Sequence, residues 1–369
     1  MSATDQTAEQ IAKERDAFCE RALFKMLGGV FESFTIYLGY RLGFYWALAD
    51  GGWMNSSELA SRTKTHERYV REWLEQQTVA GILEAEDEHA EAQARRFRMR
   101  PGHVEPLLDP DSLYSVIGVP LAAVGIARAL PSVLDAFRNG GGVPYSVYGD
   151  DFREGQSLFN RSLFVKQLGA EFLPAIADVH ARLQADPPAR VADIGCGLGW
   201  SSIAIAQAYP KVLVDGFDLD EPSIEEARTS AKARGISNRV TFHARNASDA
   251  ALAGRYDLVA AFECIHDVSN PVGVLQTMRR LAGEKGAVLV MDERVGDAFQ
   301  AAAGDLEATF YGVSVLHCLP VGMAEQPSAA TGTVMRLDTL QRYAKEAGFR
   351  DVEVLPIDHF FFRFYRLHT

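Results

Sequence analysis

Two groups of side chains in the second half of the chain have the types and spacing that chemistry requires. The first is Glu263-Cys-Ile-His-Asp267 with Met291-Asp-Glu-Arg294, each following an apolar run, in which His266 is the best candidate for chemistry. A neutral imidazole can take a proton from a hydroxyl or amine near physiological pH, with Asp267 or Asp292 to orient it. The alternative is a histidine that caps the strand end or contacts a neighbouring ligand. The second group is Arg190-Val-Ala-Asp-Ile-Gly-Cys-Gly-Leu-Gly-Trp-Ser-Ser202. Its apolar run at 191–194 reads as a buried strand, Gly195, Gly197 and Gly199 read as a loop, and Ser201 opens a helix. Glycines leave the backbone bare to a ligand, and a helix N-terminus offers unpaired N–H groups to a carboxylate or phosphate. Trp200 stands where the dinucleotide fingerprint has its third glycine, which disfavours a pyrophosphate. Asp218 ends the next strand, near the spacing at which nucleotide folds place a ribose-binding acid.

Asp193-Ile-Gly-Cys-Gly-Leu-Gly199 followed by Gly216-Phe-Asp218 resembles the class I S-adenosylmethionine-dependent methyltransferases, over roughly residues 185–369. That resemblance implies S-adenosyl-L-methionine as cofactor and S-adenosylhomocysteine as its product. Gly195, Gly197 and Gly199 would lie beside the methionine part, Asp193 would hold its ammonium, and Asp218 the ribose hydroxyls. Leu219 and Glu263 are expected in the same cofactor site. Asn246-Ala247 stands where the family usually has Asp-Ala beside the adenine, and an amide can still hydrogen-bond that base. His266 occupies a position similar to the histidine base of the small-molecule O-methyltransferases. Those enzymes carry a further acid before the last helix, where this chain has Met335, so oxygen, nitrogen and sulfur acceptors stay open.

These residues need a scaffold. Parallel strands are expected at 191–194, 212–218, 240–244, 256–263 and 287–293, with helices between them, among them 222–234 and 271–281. A right-handed crossover for each gives an α/β, doubly wound, Rossmann-like sheet. A last helix at 338–347, capped by Asp338, and strands at 352–355 and 360–367 finish it with an antiparallel terminal strand. Ligands then belong at the carboxyl ends of the strands. The aromatic stretch 310–320 would roof the pocket, with Tyr311 and His317 as substrate contacts. His317 beside Cys318 is read as a packed loop, not a metal site.

Upstream, a helix is expected at 8–28 that packs on a partner subunit or on its own chain, and another at 37–50. Asn55-Ser-Ser-Glu58 forms a capping box, and a third helix from Thr65 carries Val70, Trp73 and Leu74 on one face. Strands at 82–85 and 96–99 complete a winged helix. Its surface is of mixed charge and its wing tip acidic, which argues against DNA. In similar small-molecule methyltransferases such a domain forms the dimer, so residues 1–105 are expected to make a homodimer. Residues 106–180 read as a helical linker, with a glycine-rich loop at 140–149 that is either a lid carrying Tyr145 and Tyr148 or a plain connection. Asn160 and Arg161 are polar groups set in an apolar helix there and are candidate substrate contacts. Residues 181–369 form the cofactor-binding domain.

The chain of 369 residues, 47% hydrophobic and 23% charged, is long enough for such domains and a substantial core. A formal net charge of −12 argues against nucleic acid as a main partner. Cys19, Cys196, Cys264 and Cys318 are widely spaced, which indicates neither a zinc knuckle nor a disulfide framework and suits a reducing cytoplasm. The N-terminus has no signal-peptide pattern, and the apolar stretch 113–127 falls short of a membrane span and reads as a buried helix or helix pair. A small-molecule methyltransferase is therefore expected. The alternatives are a winged-helix regulator that senses a ligand and a methyltransferase-like scaffold without turnover.

Overall fold

The computed structural model describes residues 7–369, beginning at a helix cap. Thr7 Oγ1 accepts from the Gln10 N–H at 3.2 Å while Gln10 Oε1 accepts from the Thr7 N–H at 2.8 Å, which starts α1 (Ala8–Glu20). The helix widens by one residue per turn through Arg21–Met26 and continues as α2 (Leu27–Arg41). Gly43, at φ +75°, breaks it before α3 (Phe44–Leu48). The expected helix boundaries at 28 and 37 therefore vanish, because Gly28 and Gly29 are tolerated inside one long helix. Phe18, Leu23, Phe24 and Phe31 on this segment are all more than half exposed.

The capping box forms as expected: Asn55 Oδ1 accepts from Glu58 N and starts α4 (Ser56–Thr63). His66, not Thr65, caps α5 (Glu67–Val79), which buries Val70, Trp73, Leu74 and Gln77. The hairpin of β1 (Leu83–Ala85) and β2 (Phe97–Met99) is the wing, followed by α6 (Pro101–Leu108).

A division into two compact units falls between Val124 and Gly125, inside α7 (Gly118–Asn139), so the stretch read as a linker is shared between them. By length and composition α7 is apolar enough to cross a membrane. It is not the buried helix expected at 113–127: Leu121, Ala129 and Val133 are buried, whereas Val119, Leu130, Leu134 and Phe137 are exposed. Arg128 ended the apolar run in the sequence but not the helix.

Residues 140–144 pack closely. The Val143 N–H donates to Pro320 O at 2.8 Å, and a Cβ on Gly142 would lie 2.2–2.3 Å from the backbone of Pro320, Met323 and Ala324. A short turn, Tyr145–Tyr148, leads into α8 (Gly149–Leu163), a widened helical stretch Phe164–Phe172, and α9 (Ala177–Gln184).

The sheet then alternates with helices: β3 (Arg190–Ile194), α10 (Trp200–Ala208), β4 (Leu213–Asp218), α11 (Glu221–Ala233), β5 (Val240–Ala244), β6 (Leu258–Phe262), α12 (Pro271–Ala282) and β7 (Ala287–Glu293). Between β7 and the last helix lie α13 (Asp305–Val313), a widened turn Ser314–Cys318, and α14 (Leu319–Gly322). The last helix, α15 (Leu337–Glu346), precedes β8 (Asp351–Val354) and β9 (Phe362–His368). Arg336 rather than Asp338 is the N-cap of α15, and Asp338 sits in the first turn, where a carboxylate complements the helix dipole.

The seven strands run in the order β5-β4-β3-β6-β7-β9-β8, parallel through β7, with β9 antiparallel to both its neighbours. Side-chain alternation feeds two cores: Val191, Val214, Leu258 and Leu289 on one face, and Ala192, Val259, Val288 and Val290 on the other. The strand order reverses between β3 and β6, so the carboxyl ends of those two strands flank the crevice where such sheets bind ligands.

α7 meets α8 through Gly125. A Cβ there would lie 2.4–2.8 Å from Phe152, including its backbone. Helix propensity alone favours alanine over glycine by about 1 kcal/mol. Overpacking predicts the opposite sign, so Gly125→Ala should destabilise by about 1–3 kcal/mol in urea denaturation, and a gain in stability would contradict this packing.

Candidate active site

The loop after β3 puts its three glycines to different uses. All have positive φ: +68° at Gly195, +49° at Gly197 and +80° at Gly199. A Cβ on Gly195 would strike the Cys264 side chain at 2.6 Å, and one on Gly199 would strike Phe242 at 2.5 Å, so these two serve the protein's own packing. Only at Gly197 would it meet open space. The Gly197 N–H donates to Asp218 Oδ2 at 2.8 Å, and the Asp220 N–H donates to Asp218 Oδ1 at 2.9 Å. Asp218 thus fastens the loop to the end of β4 and keeps spare lone pairs for a diol. Leu219 beside it is 61% exposed.

Asp193, 1% exposed, accepts from both Ser201 and Ser202 hydroxyls at 2.6 Å through Oδ2. Its Oδ1 is buried and has no hydrogen-bond partner among the described residues. Burial pushes this carboxyl up to about 6, against the pull of the two serines. An orphaned buried acid oxygen beside bare backbone fits the ammonium of an aminoacyl group, so the residues present suit the expected cofactor. At the other end, Asn246 Oδ1 is engaged in a local turn, accepting from the Ser248 N–H and hydroxyl at 2.8 Å, and Ala247 is half-buried next to it.

The ends of β6 and β7 bring His266, Asp267, Asp292 and Glu293 together. His266, 3% exposed, has Nδ1 at 2.6 Å from Asp292 Oδ1 and 3.2 Å from Glu293 Oε2, and Nε2 at 3.1 Å from Asp267 Oδ1. Burial works against the charged ring, yet Asp267, Asp292 and Glu293 together lift His266 well above its usual range. The imidazole expected to be a bare base therefore holds both protons between carboxylates. Burial would also raise Asp267, but His266 holds it down at about 2. Burial pushes Glu263 up to about 8 and raises Glu293 as well. Glu263 adopts φ +55°, a left-handed backbone rare outside glycine, and its carboxyl is hydrogen-bonded by Asn160. Donor atoms of His266, Asp267 and Cys318, and of His266, Asp292 and Glu293, lie within 4.8 Å of one another. The two sets share His266.

The widened turn Ser314–Cys318 brings the roof over this cluster. His317 stacks on Phe152 (centroids 4.0 Å, 27°) and meets Tyr148 and Tyr145 edge-on at 4.7 and 5.8 Å. Tyr148 donates to Leu316 O and Tyr145 to Gln156 Oε1. Two of the expected substrate contacts lie elsewhere. The Arg161 guanidinium covers the Trp200 indole at 3.9 Å, with Arg234 at 5.0 Å from the same ring. Tyr311 accepts from Arg336, which pairs with Glu307. Met335, where a further acid was absent from the sequence, is a buried core residue.

Sequence reasoning missed Ser201 and Ser202 as partners of Asp193, Glu293 as a partner of His266, and the buried Arg153, which donates to Asp220 Oδ2 at 2.7 Å and ties α8 to the start of α11. Asp220 had a signal, since Pro222 just inside a helix start marks a cap two residues before it.

Residues 185–344 match the family model described as Methyltransferase domain, and residues 30–98 match that of an Rv2258c-like winged HTH domain. Norajmaline N-methyltransferase of Rauvolfia serpentina is 29% identical over 115 residues, 30% of this chain and 39% of that enzyme, so the match spans well under two thirds of the relative. The structure of mitomycin 7-O-methyltransferase is similar at a TM-score of 0.65 with 20% identity, over 96% of this chain and 99% of the other. Human N-acetylserotonin methyltransferase in complex with S-adenosylmethionine gives 0.66 and 16%, over 100% and 99%. At these identities the two structures establish the fold alone.

Asp267 supplies a pH test. Its carboxyl is held below the unfolded value of 3.8, so its contribution is full above that pH and disappears as pH falls through about 2. Asp267→Asn should cost about 2 kcal/mol in denaturant titrations at pH 6, with the gap to the unsubstituted protein closing toward pH 2. A gap independent of pH would contradict the ion pair.

Proposed function

We propose, for a chain that carries a methyltransferase domain behind a winged-helix domain, that it transfers a methyl group from S-adenosyl-L-methionine to an oxygen, or else a nitrogen or sulfur, of a small molecule. The observation that carries this is the unpartnered buried oxygen of Asp193 beside the open face of Gly197. S-adenosylmethionine supplies, when bound, a methyl on a sulfonium that is already a good leaving group. What is left to the protein is alignment, a dry site and a place for one proton. Asp193 receives the ammonium, Asp218 the ribose hydroxyls, and Asn246, Ala247 and Leu219 border the adenine side. Glu263, strained and protonated, closes the end of β6 with Asn160.

The acceptor's proton enters the cluster at Asp267. His266 is the cationic half of that base, sharing its charge with Asp267 and Asp292. It stabilises the carboxylate while the acceptor is still protonated. Tyr145, Tyr148 and His317 form the apolar side of the acceptor's pocket, which excludes water.

The N-terminal unit serves association in this reading. Its exposed Phe18, Leu23, Phe24 and Phe31 form an apolar strip larger than scattered surface residues explain. A second copy of the chain covers it in a homodimer. The wing arginines are engaged in ion pairs, Arg95 with Glu75, Arg96 with Glu86 and Arg98 with Glu84, which leaves little positive surface for DNA. The cysteines, all free thiols, suit the reducing cytoplasm.

Incubation with methyl-labelled S-adenosylmethionine and small-molecule extracts should yield a labelled product, and Asp218→Ala should weaken cofactor binding by about tenfold or more in calorimetry. No binding by the unsubstituted protein, or an unchanged Asp218→Ala, would overturn the assignment. In sedimentation the chain should run as a dimer and the double variant Phe24→Asp, Phe31→Asp as a monomer; a monomeric parent would contradict the association.

A further inference from the structure

Helix α8 reaches the segments that follow β3, β4 and β6. Asn160 donates to Glu263 at the end of β6, the Arg161 guanidinium lies over Trp200 at the start of α10, and Arg153 donates to Asp220 just after β4. The last contact buries a charge. The Arg153 side chain is 8% exposed, and a guanidinium taken out of water is stable only where its charge and its N–H groups are met. Here Nε donates to Asp220 Oδ2 at 2.7 Å, a second nitrogen reaches Oδ1 at 3.4 Å, and the third donates to the exposed Asp150.

Capping of α11 does not by itself call for this arginine. Asp220 Oδ2 accepts from the Ser223 N–H at 3.0 Å and from the Ser223 hydroxyl at 2.6 Å, and asparagine or serine caps a helix about as well as aspartate. Residue 220 has a second task. Its backbone N–H donates to Asp218 Oδ1 at 2.9 Å, while the Gly197 N–H donates to Asp218 Oδ2 at 2.8 Å. Two carboxylates therefore stand close together at the end of β4. Burial raises Asp218, and the charge of Asp220 adds to that. Burial would raise Asp220 too, but Arg153 and Ser223 hold it below its usual range.

We propose that Arg153 is a positioning residue for the cofactor's ribose: from α8 it fixes Asp220, and through the backbone of residue 220 it keeps Asp218 in place to receive the 2′ and 3′ hydroxyls. The proposal rests on the S-adenosylmethionine reading above and adds a residue that acts through another. The same contacts define the sugar. An arginine beside a ribose-binding acid is what a 2′-phosphate requires. All three nitrogens of Arg153 are instead turned to Asp220 and Asp150, so a phosphate there would meet carboxylates. The ribose must therefore carry a free diol.

Calorimetric titration of the full-length protein with S-adenosylhomocysteine and with its 2′,3′-dideoxy analogue tests this. The parent should bind the first about tenfold or more tightly than the second. Arg153→Gln should weaken S-adenosylhomocysteine about tenfold and leave the analogue within about twofold of the parent, because without the diol Asp218 has nothing to hold. If Arg153→Gln fails to fold with Asp220 left unpaired, Arg153→Lys carries the test. Lysine keeps the charge but not the two-nitrogen grip, so it should show the same selective loss at a smaller size.

A double variant tests the route. With Arg153→Gln and Asp220→Asn together, no unpaired charge stands beside Asp218, so affinity for S-adenosylhomocysteine should recover relative to Arg153→Gln alone. Losses that simply add would mean that Arg153 does not act through Asp220. Equal weakening of both ligands, or unchanged affinity in a variant that is only less stable to urea, would reduce Arg153 to a structural tie and overturn the proposal. A parent that binds both ligands equally would remove Asp218 from the ribose, and one that binds neither would sink the functional reading itself.

Discussion

The site depends on one carboxylate buried where strand and helix meet. Asp193 is the penultimate residue of β3, and Ser201 and Ser202 in the first turn of the helix that follows both donate to one of its oxygens. Burying an acid is costly unless it is hydrogen-bonded or paired with a charge. Here one oxygen is satisfied by the protein and the other is not. In the proposed reading, a ligand cation that reaches the open oxygen recovers what folding left unsatisfied. The loop geometry follows from the same spot: positive φ at Gly195, Gly197 and Gly199 lets the chain turn sharply enough to place α10 above the acid.

The second acidic region obeys the same physics with a different outcome. Four carboxyl groups, those of Glu263, Asp267, Asp292 and Glu293, converge on a single imidazole. They cannot all ionise in a dry pocket. Burial raises the two glutamates, while His266 beside Asp267 holds that carboxyl low against its own burial. The cluster is thus charged and held in place next to the rings that enclose His317. Arg153 on α8 holds Asp220, the cap of α11.

Much of this was legible in the sequence, for identifiable reasons. Strands buried on both faces read as apolar runs, so β3 to β7 were placed within a residue or two of where they lie. The glycine spacing marked the sharp loop after β3 because few side chains other than glycine tolerate those dihedrals. What was not legible depended on contacts between distant segments. Arg161 looked like a polar group free for a substrate, yet it lies over Trp200, and no local pattern joins residues thirty-nine apart. Tyr311 was diverted to Arg336 in the same way. His266 looked like a free base because its nearest sequence neighbour, Asp267, was visible, whereas the role of Glu293 at its other nitrogen appears only when β6 and β7 pair.

The open oxygen of Asp193 can be interrogated directly by calorimetric titration of S-adenosylhomocysteine between pH 5 and pH 8. A carboxyl at about 6 must lose its proton to hold an ammonium, so affinity should fall as pH drops below that value and level off above it. In Asp193→Asn the affinity should be lower and flat across the range. Equal, pH-independent binding by both proteins would mean that this carboxylate does not anchor the cofactor, and the account built on it would fail.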